Sequence, residues 1–271
     1  MKKLVFLAVL LVFVGSSFAA DITTGLVGWW KMDGPTEGES ARFVKDYSGF
    51  DNHGTMGSED QWIAGGGIDF DRGFWGASGI AFANNGADLI ADMGLTNQVT
   101  ISFWATWDEW QDRGNYTFDG RTAANARILS LEMPTGNHTL QHYPGGSTWS
   151  WEAFNDQDSR FIFKHVDTSK TWGDMILITT TIDLVAGEYK LYVDGLVKTS
   201  ATGLSGSFAD LAKFYIGRDP DTYACMGGSM VDFRIYNRAL SEDDIAALVP
   251  EPTTIALLGL GGLALIRRKR S

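Results

Sequence analysis

The 271-residue sequence has one cysteine, Cys225. An intramolecular disulfide is therefore excluded, and a lone Cys reads first as a small buried hydrophobe. Four histidines, His53, His138, His142 and His165, show no zinc spacing supported by cysteine. Proline is scarce, with six in the chain, and no internal repeat of 20–50 residues is present. Basic residues are few as well, 22 against 33 acidic ones. Six of those cations lie in the two ends, together with a single acid, so the body between them carries a net charge of −16. A surface of that sign repels nucleic acid and anionic membrane surfaces, and it suits the oxygen chemistry of Ca²⁺. Long apolar runs are confined to the ends.

The first end, MKKLVFLAVLLVFVGSSFAA, has cations at Lys2 and Lys3, an apolar stretch from Leu4 to Val14, and small residues at Ser17, Ala19 and Ala20. This is the pattern of a secretory signal peptide, residues 1–20, removed on export. The last end, VPEPTTIALLGLGGLALIRRKRS, has fourteen residues without a charge, Thr253 to Ile266. A full membrane span needs about 20. The run is flanked by Pro250, Glu251 and Pro252 on one side and by Arg267, Arg268, Lys269 and Arg270 on the other. In this order the parts resemble the PEP-CTERM sorting signal. That resemblance implies transient membrane insertion with the cations on the cytoplasmic side, and processing by an exosortase-type enzyme that reads the Pro-Glu-Pro. It places the protein, after export, at the cell surface or outside the cell. Residues 250–271 are then an address, and deleting them is expected to leave the fold intact.

The body, residues 21–249, is rich in glycine and aromatics and reads as short β-prone runs between turn clusters. Leu26–Met32, Gly67–Phe70, Gly79–Phe82, Val99–Trp107, Ile176–Ile182, Phe214–Gly217 and Ser229–Tyr236 are expected strands. Asp194-Gly195 between alternating runs predicts a type I′ hairpin turn. The one helix expected begins at Ser241, where Ser-Glu-Asp-Asp forms a capping box and Leu240 and Ile245 are placed as a hydrophobic staple.

Four stretches resemble the LamG-like jelly roll of the concanavalin A-like lectin/glucanase fold. They are Gly25-Leu-Val-Gly-Trp-Trp-Lys-Met-Asp33 with Asp46-Tyr-Ser-Gly-Phe-Asp-Asn-His-Gly54; Val99-Thr-Ile-Ser-Phe-Trp104; Tyr189-Lys-Leu-Tyr-Val-Asp-Gly195; and Gly228 through Ser241 to Ile245. The resemblance implies an all-β, two-sheet antiparallel sandwich as a single domain. It is weakest over 108–170, and Trp172-Gly-Asp-Met-Ile176 departs from the usual pattern before its strand.

Glycosidases of this fold set their carboxylates as Glu-x-Asp-x-Glu on one strand face, and no such run occurs here. A non-enzyme is the expectation, and two or more carboxyls converging in one cleft would count against it. Two binding sites are expected instead. The family often holds a structural Ca²⁺, and Asp33 and Asp232 are the candidate ligands by motif position, with Arg234 or Arg238 as rival partners of Asp232. For a glycan, exposed rings are needed. Tyr143, Trp149 and Trp151 fall in an aromatic stretch rich in glycine, with Trp107 and Trp110 as a second choice. The functional expectation is a non-catalytic carbohydrate-binding or adhesive module acting on polysaccharide, with a structural surface protein as the alternative.

Overall fold

The computed structural model describes residues 22–58, 60–70, 78–83, 86–106, 173–204, 207–208, 213–218, 226 and 228–249, and the backbone alone of 84–85 and of the strands between 117 and 167. In chain order the strands are β1 (Leu26–Trp30), β2 (Phe43–Val44), β3 (Gly54–Met56), β4 (Gln61–Trp62), β5 (Ile68–Phe70), β6 (Ile80–Phe82) and β7 (Gln98–Ala105). Then come β8 (Thr117–Phe118), β9 (Arg121–Thr122), β10 (Ala126–Met133), β11 (Gly136–His142), β12 (Trp149–Asn155) and β13 (Arg160–Asp167). The last are β14 (Ile176–Asp183), β15 (Glu188–Val193), β16 (Leu196–Thr202), β17 (Lys213–Ile216) and β18 (Gly228–Tyr236).

Two eight-stranded antiparallel sheets form a sandwich. One runs β16-β15-β14-β7-β18-β5-β4, with β1 also on β18; the other runs β13-β12-β11-β10-β17-β6-β3-β2. The expected all-β jelly-roll architecture is therefore present. The stretch that sequence reading placed least well, 108–170, supplies β10 to β13, an antiparallel meander that makes half of the second sheet.

The core between the sheets follows from strand alternation. Trp30, Phe70, Phe103, Phe214 and Phe233 are fully or almost fully buried there. Phe103 stacks on Phe233 with ring centroids 5.4 Å apart, and Trp30 sits 5.2 Å from Phe82. Full burial of each such side chain is worth about 1.5–3 kcal/mol. Strand β14 is buried on both faces. Ile176 and Ile178 enter this core, while Leu177 joins Tyr192 and Tyr236 in a second cluster.

That second cluster is the seat of helix α2 (Glu242–Leu248), which lays Ile245 and Leu248 on it. The capping box is formed: Ser241 Oγ accepts from the Asp244 amide, and the Asp244 carboxylate accepts from the Ser241 amide, each at 3.2 Å. Leu240, the staple residue, packs in the same cluster as Ile245. Thr100 fixes the approach, donating to the Arg238 carbonyl at 2.8 Å and accepting from the Leu240 amide at 2.9 Å. The hairpin turn is also as expected, with positive φ at Asp194 (51°) and Gly195 (77°).

One helical segment was not anticipated. A 3₁₀ turn (Ala83–Gly86) leads into helix α1 (Ala87–Met93), which ends on Gly94 in the left-handed conformation. It buries Leu89 and Met93, one turn apart. Seven residues give too short a period to stand out in an otherwise β-rich chain.

Candidate functional site

The motif Asp46–Gly54 folds into a knot around one carboxylate. Asp46 is 3% exposed. Its Oδ1 accepts from the Trp29 and Ser48 amides, both at 2.9 Å. Its Oδ2 accepts from Ser48 Oγ at 2.7 Å and from the Asn52 amide at 3.0 Å. The turn thereby ties the β1 backbone to the segment before β3, and the Trp30 indole N–H closes it by donating to the Asn52 carbonyl at 2.9 Å. The Asp46 amide donates to His53 Nδ1 at 3.2 Å, so the neutral ring carries its proton on Nε2. Asp46 is thus a scaffold group that organises an Asx-type turn.

The knot presents its far side to a cleft of about 180 Å³. Phe50, Asp51, Asn52 and His53 line it from the turn, with Phe82 and Ala83 at the end of β6 and Asp88, Leu89 and Asp92 on α1. Phe50 is an exposed aromatic, 44% accessible. The Asp51 side chain is 88% exposed, with its Oδ1 3.9 Å from His53 Nε2. Three carboxylates therefore share one small cleft, the arrangement that sequence reading named as counting against a non-enzyme. Asp88 and Asp92 lie one helical turn apart, on one face of α1. Sequence reading missed them because they reach the cleft only through the unanticipated helix.

The residues expected to hold calcium lie where β1 hands over to β5 along β18. Asp232 occupies a bulge with φ 53°. Its carboxylate accepts from Arg234 at 2.9 and 2.7 Å and from the Trp29 indole N–H at 2.6 Å. Lys31 Nζ and the Arg234 guanidinium lie 4.4 and 4.9 Å from the Trp29 ring centre, which sets that ring among cations. The rival partner, Arg234, is therefore the one on Asp232. Asp33 is exposed and accepts from Tyr47 Oη at 2.7 Å. The hydrogen bond to the Asp33 carboxylate raises the Tyr47 phenol above its ordinary range, helped by partial burial. Among the described residues no three His, Cys, Asp or Glu side chains gather as a metal would need.

Of the aromatic candidates, Trp149 and Trp151 stand two apart on β12, opposite Asp167 and His165 of β13. Tyr143, Trp107 and Trp110 lie outside the described residues, as do Pro250 to Arg270. No helix among the described residues is long and apolar enough to cross a membrane.

Residues 76–246, more than half the chain, match the concanavalin A-like lectin/glucanases superfamily. The chain belongs to this superfamily. Residues 248–270 match the PEP-CTERM protein-sorting motif, and the two together mark a concanavalin A-like domain sorted for export. No curated protein matches the chain. Solved structures share the superfamily fold at low identity. Trypanosoma rangeli sialidase in complex with sialic acid is 16% identical with a TM-score of 0.57, over 83% of this chain and 32% of the sialidase. The binding domain of botulinum neurotoxin serotype D is 14% identical with a TM-score of 0.57, over 84% of this chain and 52% of that one. The chain thus spans about a third of the first and half of the second, and the likeness is one of fold.

Proposed function

We propose that this concanavalin A-like domain is a non-catalytic glycan-binding module displayed at the cell surface or released from it. The observation that carries this reading is the cleft beside the Asp46 knot. It pairs an exposed ring, Phe50, with three carboxylates, Asp51, Asp88 and Asp92. A sugar ring stacks its C–H face on an aromatic, and its hydroxyls donate to carboxylates in hydrogen bonds stronger than neutral ones. The volume is below the roughly 300–1,000 Å³ of drug-sized pockets, which fits one terminal sugar rather than a long chain. Trp149 and Trp151, two apart on β12, are the candidates for a second stacking site on a longer glycan. A calcium ion with Asp33 and Asp232 as ligands would have to displace Arg234 from Asp232.

The same three carboxylates favour a hydrolase as a second reading. A retaining or inverting pair needs one carboxyl kept protonated by a covered environment. Asp51, with its side chain 88% exposed, lacks such cover, which favours binding over hydrolysis. The test is a glycan array probed with residues 21–249 as wild type, Phe50→Ala, Asp88→Asn and Trp149→Ala/Trp151→Ala. Binding lost in Phe50→Ala supports the cleft, and binding lost only in the tryptophan variant moves the site to β12. A wild type that binds no glycan leaves a structural surface protein with protein partners, and release of reducing sugar from an arrayed polysaccharide restores the hydrolase.

A further inference from the structure

The last described residue, Val249, lies against the β15–β16 hairpin. A Cβ placed on Gly195 would meet Val249 Cγ2 at 2.8 Å, with Ala246 Cα and the Ile245 carbonyl at 3.9 and 4.0 Å. The sorting tail therefore leaves the domain at this hairpin tip. Five large hydrophobic side chains are exposed among the described residues, and three belong to this end: Met175 at 45%, Leu196 at 66% and Val197 at 45%. Leu196 and Val197 follow the turn directly. Met175 precedes β14 at the end of the sheet that Asp194 ties down, its amide donating to the Leu177 carbonyl at 2.8 Å and its Oδ1 accepting from the Leu177 amide at 3.0 Å. Val185, another of the five, sits past the far end of β14, on the order of 25 Å away along the strand.

Leu196 and Val197 are consecutive on β16 and point to opposite faces, so what the three share is one end of the sheet, and the tail gives that end an occupant. Its uncharged run starts at Thr253, so only residues 250–252 separate it from Val249. Three residues reach at most about 11 Å. A run inserted in a bilayer has to be helical to satisfy its backbone, and fourteen helical residues rise only about 21 Å, against a hydrocarbon core of about 30 Å. A run that short spans only if the bilayer thins or if its flanks are drawn down to the interface. The flank here is the domain itself.

We propose that, while the tail is in the membrane, the sandwich docks on the bilayer through Met175, Leu196 and Val197. These side chains enter the headgroup–acyl boundary and make up part of the length that the tail lacks. The proposal rests on the tail being membrane-inserted before processing, and it does not depend on glycan binding.

The test uses the chain from residue 21 to 271 in vesicles of phosphatidylethanolamine and phosphatidylglycerol containing a shallow spin-labelled lipid. Cys225→Ser provides a cysteine-free background. An environment-sensitive fluorophore is placed at Leu196→Cys or, as control, at Val185→Cys, both on positions already exposed. The expected result is a blue-shifted label quenched by the lipid at 196 and an unquenched label at 185, with the quenching abolished by truncation after Val249. Equal behaviour of the two labels in floating vesicles overturns the docking. A blue shift at 196 without lipid quenching also overturns it, assigning the patch to the tail folded back or to another protein surface. Failure of the full chain to float with the vesicles overturns the insertion premise, and the docking with it.

Discussion

Replacing Asp46 with alanine should be among the most damaging single changes outside the aromatic core. Its carboxylate is 3% exposed and accepts four hydrogen bonds. Alanine strands the amides of Trp29, Ser48 and Asn52, while the Ser48 hydroxyl can turn to water. Each unsatisfied donor costs about 1–3 kcal/mol when buried. Two of the three are only partly buried, so the lower end applies to them, and the sum is about 3–5 kcal/mol. For a domain of this size each kcal/mol moves the melting midpoint by about 2–4 °C, so a fall on the order of 10 °C is expected. Asp46→Asn separates geometry from chemistry. Its carbonyl can still serve Trp29 and Ser48, but its amide faces the Asn52 amide, donor against donor, for a loss of about 1–2 kcal/mol. Urea and thermal unfolding of both variants and the wild type, all as residues 21–249, measure this order. An alanine variant within about 1 kcal/mol of wild type, or an asparagine variant as unstable as alanine, refutes the view that the carboxylate is the organising group.

Truncation after Val249 should leave the thermal midpoint unchanged and misdirect the exported protein, since α2 closes its cluster before Pro250; a truncated chain that fails to fold would make the tail part of the core. Ser241→Ala should cost about 1 kcal/mol through loss of the N-cap, read by the same melts. Burial pushes the Asp244 carboxyl upward, but hydrogen bonds from Arg238 and Ser241 outweigh it and hold the carboxyl below its ordinary value. The stabilisation is therefore complete above about pH 4, the unfolded value, and disappears as pH falls through the folded one. Asp244→Asn should be less stable than wild type at pH 7 and approach it at pH 2; an equal deficit at both would sink the assignment. For calcium, the midpoint should rise with added Ca²⁺ relative to chelator, and rise more in Arg234→Ala, where the competitor for Asp232 is gone; midpoints that never move with Ca²⁺ in either protein remove the ion.

The strands could be read wherever one face is apolar and a turn marks the end. Val99–Trp107 was expected as a strand and β7 occupies Gln98–Ala105, and Asp194-Gly195 is a turn with positive φ at both residues. The box at Ser241 was legible because its chemistry is local, within four residues. The β10–β13 meander was harder because its strand β11 carries little apolar alternation: Gly136-Asn-His-Thr-Leu-Gln-His142 has one apolar side chain. Helix α1 was missed for the opposite reason: its own signals, Leu89 and Met93 four apart and Gly94 at its end, are genuine but occupy only two turns.

The functional surfaces were less legible because they are not local. Asp46 organises a local turn, yet its partners include Trp29, seventeen positions away. The cleft joins a turn before β3, the end of β6 and one face of α1. No spacing in the chain links Phe50 to Asp88 and Asp92; only the pairing of β3 with β6, which carries the chain into α1, brings them together. The bulge at Asp232 shows the reverse case. Motif position pointed to Asp232, and the sequence neighbour that competes for it, Arg234, was equally visible. Deciding between them required knowing that a positive φ at Asp232 turns its carboxylate back toward the side chain two residues on. Strand alternation alone would put both side chains on one face and say nothing of their contact. Sequence can therefore nominate a carboxylate for a site, but the backbone conformation at that residue decides which partner holds it.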